Sequence, residues 1–89
     1  MMYPYITLKD ETLITHTQII ENNGAKEIEV HFERPTSDGF DSARCLLPSY
    51  EWIMREGFTD DEIAAFCKLM EYNAHLLYRY AENGGLQIA

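Results

Sequence analysis

Two histidines and two glutamates are the residues of this chain whose types and spacing come closest to a reactive constellation: His16, His31, Glu29 and Glu33. Two imidazoles and a carboxylate make a chemically sensible zinc or iron set. They can meet only if the segments on either side of Asn23-Gly24 fold back on each other. That dipeptide favours a type I′ hairpin, because both central residues need positive φ. Counting outward from a two-residue loop, Asn22 faces Ala25, Ile19 faces Ile28, Thr17 faces Val30 and Thr15 faces Phe32. The opposite side then carries Ile20 with Glu27, Gln18 with Glu29, His16 with His31, and Ile14 with Glu33. Directly opposed Cβ atoms are about 4.5–5.5 Å apart, close enough for two imidazoles to share a metal. The competing reading is a solvated sheet face on which polar residues simply alternate.

The same face has a second property. Glu27, Glu29 and Glu33 project together, with Glu21 near the hairpin tip. Either this is the water-facing side of a two-layer fold or it is an acidic patch for a basic protein partner. The water-facing reading is the simpler one; Ile14 and Ile20 on this otherwise polar side keep the partner reading alive.

Other reactive residue types carry less. Cys45 alternates in phase with Ala43 and Leu47, which marks it as a small core hydrophobe, and Cys67 also lies in an apolar pattern. His75 sits between Glu71 and Arg79 at helical spacing, an ordinary solvated stripe. Ser37, Asp38 and Asp41 near Gly39 lack the spacing of a calcium loop. No glycine-rich phosphate loop or catalytic signature is present, so no cofactor is expected.

These residues must be positioned by a small α+β domain. The 89 residues make one domain, and a composition 46% hydrophobic, 12% aromatic and 25% charged is that of a folded chain. Tyr5 to Leu8, Leu13 to Glu21, Lys26 to Arg34 and Asp41 to Leu47 read as strands. Pro35 to Gly39 reads as a connector. Ser49 is a good N-cap for a short helix from Tyr50 to Glu56, with Gly57 at the left-handed position after it and Phe58 folding back on Ile53. Thr59-Asp60-Asp61-Glu62 is a capping box that opens a long helix reaching about Glu82. Residues from about 84 to 89 read as a flexible tail. The expected fold is a three- to four-stranded antiparallel meander with a short helix and a long C-terminal helix on one face.

The long helix carries more apolar surface than one neighbour can cover. Lys68, Glu71, His75, Arg79 and Glu82 form a narrow polar stripe. One apolar arc holds Ile63, Cys67, Met70, Ala74, Leu77 and Ala81; a second holds Phe66, Leu69, Leu76 and Tyr80, with Asn73 among them. A four-stranded sheet has room for one arc, so the second predicts a homodimer interface through Phe66, Leu69, Asn73, Leu76 and Tyr80. Asn73 pairs there with its own copy, as buried Asn does in coiled coils, or else with the backbone of its own sheet or short helix.

Fifteen acidic and 7 basic residues give a formal net charge of −8. That excludes a nucleic-acid partner and an anionic membrane surface, both of which demand clustered Lys and Arg. The first residues lack a secretory pattern and no run reaches a membrane span, so a cytoplasmic location is expected. The functional expectation is a non-enzymatic interaction module acting as a homodimer. The alternative is a small ligand- or metal-binding protein, conceivably an enzyme, built on the His/Glu cluster.

Overall fold

The computed structural model describes residues 2–84. The tail expected at 84–89 lies, beyond Gly84, outside the described residues. Six strands precede one helix: β1 (Tyr3–Thr7), β2 (Leu13–His16), β3 (Ile20–Asn22), β4 (Ala25–Thr36), β5 (Gly39–Leu47), β6 (Glu51–Glu56) and α1 (Asp60–Glu82). The antiparallel sheet runs in the order β1-β2-β4-β5-β6, with β3 also paired to β4. The expected sheet of three to four strands, and the short helix beside the long one, are therefore corrected. The segment read as a short helix is the edge strand β6, and it widens the sheet.

The reason lies in signals shared by turns and helix starts. Ser49 Oγ does accept the Glu51 N–H, at 3.2 Å, and donates to the Leu46 carbonyl at 3.3 Å. Both bonds close the turn between β5 and β6 and start no helix. Pairing with β5 gives the backbone of Glu51–Glu56 its hydrogen bonds, and the Trp52 ring lies 5.7 Å from that of Phe32. Phe58 folds onto Phe66, edge to face at 5.0 Å, and Ile53 is left exposed. The Pro35–Gly39 connector also shortens, since β4 and β5 extend to the pair Thr36↔Gly39.

The Asn23-Gly24 turn forms with the expected left-handed angles, φ 53° and 83°. Next to it, Asn22↔Ala25 and Ile20↔Glu27 keep the counted register. Beyond them the register breaks. His16 pairs with Val30, Thr15 with His31 and Ile14 with Phe32, so Thr17 to Ile19 face only Ile28 and Glu29. One extra residue, a bulge, has reversed which side chains point inward. Its backbone groups stay bonded: the Thr17 N–H donates to the Glu29 carbonyl at 3.0 Å, and Thr17 Oγ1 accepts the Glu29 N–H at 3.0 Å.

The bulge sets the core. Ile14, Ile28, Val30, Phe32, Ala43, Cys45 and Leu47 form a buried inner face beneath α1, whose Ile63, Phe66, Met70, Leu77 and Ala81 are buried against it. Phe32 and Phe66 stack at its centre with ring centroids 4.3 Å apart. The capping box of α1 forms as read, with Thr59 and Glu62 exchanging side-chain-to-backbone bonds.

Two substitutions test this packing. Thr17→Val keeps the shape but leaves the Glu29 N–H without its acceptor, so urea unfolding should show a loss of about 1–3 kcal/mol. At Gly57, φ is +90° and an added Cβ would stand 2.0 Å from Asp41 Oδ1. Gly57→Ala should cost about 1–3 kcal/mol by the same measurement.

Candidate functional site

The register break separates the proposed metal ligands. His16 is buried on the inner face, between the rings of Tyr3 and Tyr5 at 5.7 and 6.4 Å. Its Nδ1 lies 2.8 Å from the Thr17 carbonyl oxygen, which can only accept, so the proton sits on Nδ1. His31 is on the outer face with Glu29, Nε2 to Oε1 2.9 Å, and Glu33 lies further along that face. The expected pairing of His16 with His31 is thus corrected, and with it falls the geometry of a His16–His31–Glu29–Glu33 metal site. Among the described residues no three His, Cys, Asp or Glu side chains are placed to hold a metal ion.

The residues expected at a helix-mediated dimer interface are distributed within one chain. Phe66 is in the core, and Leu69 and Tyr80 pack against it. Asn73 is satisfied at home: Tyr5 Oη donates to its Oδ1 at 2.6 Å, and its Nδ2 donates to the Leu69 carbonyl at 2.7 Å. Leu76 is half-buried. The wider sheet, with Tyr5 of β1 under one flank of the helix and Trp52 of β6 near the Phe32–Phe66 stack, absorbs surface that four strands would have left bare. The argument for a second copy on that arc no longer holds.

Cys45 shows no nucleophile's environment. It is fully buried, and burial, with Cys67 nearby, pushes its thiol up to about 12. At neutral pH it is a protonated hydrophobe.

The largest ion-pair cluster, partly exposed at the rim of the core, surrounds Arg34. Its guanidinium donates to Asp41 at 2.7 and 3.0 Å, to Asp10 at 3.2 Å and to Glu62, and it lies over the Phe58 ring at 4.8 Å. Each donor is answered by a carboxylate, so the cluster joins β4, β5, the β1–β2 loop and the first turn of α1. That is a fastening, with no open position for a substrate.

Among the described residues α1 packs on the inner face, and no second layer covers the outer face of the sheet. Three rows cross it. Leu13, Glu33, Ser42 and Glu56 form the first; Thr15, His31, Arg44 and Met54 the second; Glu29, Leu46 and Glu51 the third. Glu27 extends the acidic character towards the hairpin. Glu51 and Glu56 join this face because their segment is a strand and not the helix that its local signals suggest. The β-prone pair Trp52-Ile53 after a Pro48-Ser49 turn was the available signal. Both flanking rows are acidic around one central arginine, over a floor of Leu13, Leu46 and Met54.

No protein-family model matches this chain, and neither curated proteins nor solved structures provide a match. No helix among the described residues is long and apolar enough to cross a membrane.

The Arg34 cluster makes a pH prediction. Its guanidinium, followed by the Thr59 N–H, holds the Glu62 carboxyl below its usual range. A depressed folded-state value stabilises the fold once pH exceeds the unfolded carboxyl value, roughly 4.3, and that contribution disappears as pH falls through the folded one. Arg34→Gln should therefore reduce stability at neutral pH and flatten its decline towards about pH 3, as measured by urea midpoints.

Proposed function

We propose that this chain is a non-catalytic, cytoplasmic protein-interaction module that docks a basic partner on the outer face of its sheet. The observation that carries the reading is the pair of acidic rows on an uncovered, partly apolar face. A partner with Lys or Arg on either side of an apolar strip would match both rows and the floor between them. The rows are four residues apart along β4, or roughly 13 Å, about the width of a helix with its side chains.

A second copy fits this face poorly. A two-fold axis lying in the face, whether along the strands or across them, sets one copy's acidic rows over those of the other. Like charges brought together in this way are strongly disfavoured. The net charge of −8 adds to that repulsion. Two free thiols suit a reducing compartment.

Glu33 and Glu56 are exposed and directly flank Ser42 across the sheet. The double reversal Glu33→Lys, Glu56→Lys should slow association with a labelled amphipathic Lys/Arg-rich helical peptide by roughly tenfold at low salt and remove most of its salt dependence. Reversing Asp61 and Glu71, both exposed on α1, makes the same change in net charge away from the face and should leave binding nearly intact. Equal losses from both pairs would reduce the effect to overall charge and overturn the reading.

A further inference from the structure

Among the described residues, the open edges of β1, β6 and β3 differ in how they are protected. β1 carries Pro4 and a register shift between Pro4 and Ile6. β6 is broken by a shift opposite Arg44/Cys45 and carries Glu51, Arg55 and Glu56. Prolines, bulges and charges of this kind discourage a foreign strand. β3 is short, three residues, but regular and without proline; among the described residues it pairs with β4 alone, and its one charge, Glu21, repels an acidic strand while attracting a basic one.

The hairpin fixes which backbone groups of β3 are free. With a two-residue loop the closing pair Asn22↔Ala25 exchanges both hydrogen bonds, and the pair after it does not. The N–H and C=O of Glu21 therefore point away from β4, along the open edge. Below that edge, on the helix side, an open groove of about 350 Å³ is lined by Gln18, Ile19, Glu21, Lys26, Ala81 and Glu82. The groove has two carboxylates to one ammonium, and it meets the C-terminal end of α1, where backbone carbonyls add partial negative charge. On the other side of the strand, Ile20 is 39% exposed.

We propose that the β3 edge takes an extended segment of a partner protein as an added strand, the segment alternating basic and apolar residues. Its backbone pairs with Glu21. Every second side chain drops towards the groove, where a Lys or Arg meets Glu21 and Glu82, and the intervening apolar side chains lie beside Ile20. Main-chain bonds supply affinity and the alternation supplies specificity, as in other strand-addition complexes. The groove lies on the helix side, and only Ile20, beside Glu27, borders the outer face; the Glu33→Lys, Glu56→Lys variant should leave this site intact, so either can fail without the other.

The probe is a short capped peptide alternating valine and lysine, titrated into isotope-labelled protein and followed by amide shifts. Saturable shifts centred on Glu21 and the end of α1 are expected. N-methylation of the alternate peptide amides that face β3 should weaken binding at least tenfold, and Glu82→Lys should weaken it severalfold. Glu21→Pro removes the outward N–H without disturbing a bond to β4 and should abolish the shifts. Its fold is checked by the unchanged amide pattern of β5 and α1. Should Glu21→Pro misfold, the N-methylated peptide on wild-type protein carries the test. Shifts centred on β1, on β6 or on the outer face overturn the proposal, as does indifference to N-methylation. Concentration-dependent shifts at Glu21 in the absence of peptide would show that a second copy takes this edge, and would overturn it too.

Discussion

One extra residue opposite Ile28-Glu29 decides the character of both faces of this protein. Had the register counted from Asn23-Gly24 continued along the hairpin, Ile14 would lie outside and Thr15 and Thr17 would face Phe32 and Val30. Burying an isoleucine fully is worth roughly 1.5–3 kcal/mol, whereas an unmet ladder bond costs about 1–3 kcal/mol. Thr17 removes most of that opposing cost, because its hydroxyl and its N–H bond the two backbone groups of Glu29. The burial term prevails. Ile14 and His16 then join the inner face, and Thr15 turns outward opposite His31.

From this inversion the rest follows in order. A continuous apolar inner face gives α1 a bed, and six strands make that bed wide enough for a helix that is apolar around much of its circumference. Polar groups at the flanks hold the helix in place. Arg34 meets Glu62 at its first turn, and Arg55 meets Asp60 beside it. Tyr5 binds Asn73 in its middle. The Tyr78 hydroxyl donates to the Lys26 carbonyl at 2.9 Å, on the stretch of β4 that extends beyond the last β5 partner, Leu47↔Ile28. The ties come from β1, β4 and β6, so helix position and sheet width are set together.

The outer face acquires its chemistry as a by-product of the same choice. With no layer to cover it, polar residues are free to accumulate there, and five glutamates do: Glu27, Glu29, Glu33, Glu51 and Glu56. Charge in this protein is therefore sorted by depth. Arg34, Asp41 and Glu62 are partly buried and saturated, while Glu33, Glu51 and Glu56 of the outer face are exposed. The groove lined by Glu21 and Glu82 lies beside a strand edge.

Local signals were legible wherever a few adjacent residues settle the outcome. The Asn23-Gly24 turn, the Thr59–Glu62 capping box, the extent of α1, the alternation of Ala43, Cys45 and Leu47, and the acidic run on β4 depend on backbone geometry and periodicity, which the chain carries in itself. The register of β2 was not legible, because it weighs burial of Ile14 against a ladder defect whose cost depends on Thr17 reaching Glu29 across the sheet. The state of Tyr50–Glu56 was undecided for a similar reason: Ser49 makes one local bond that serves equally a helix start and a turn into a strand. The free edge of β5 decided for the strand. Local sequence determines which bonds a turn or cap can make; only the assembled sheet determines which face a side chain occupies, because burial belongs to the whole structure.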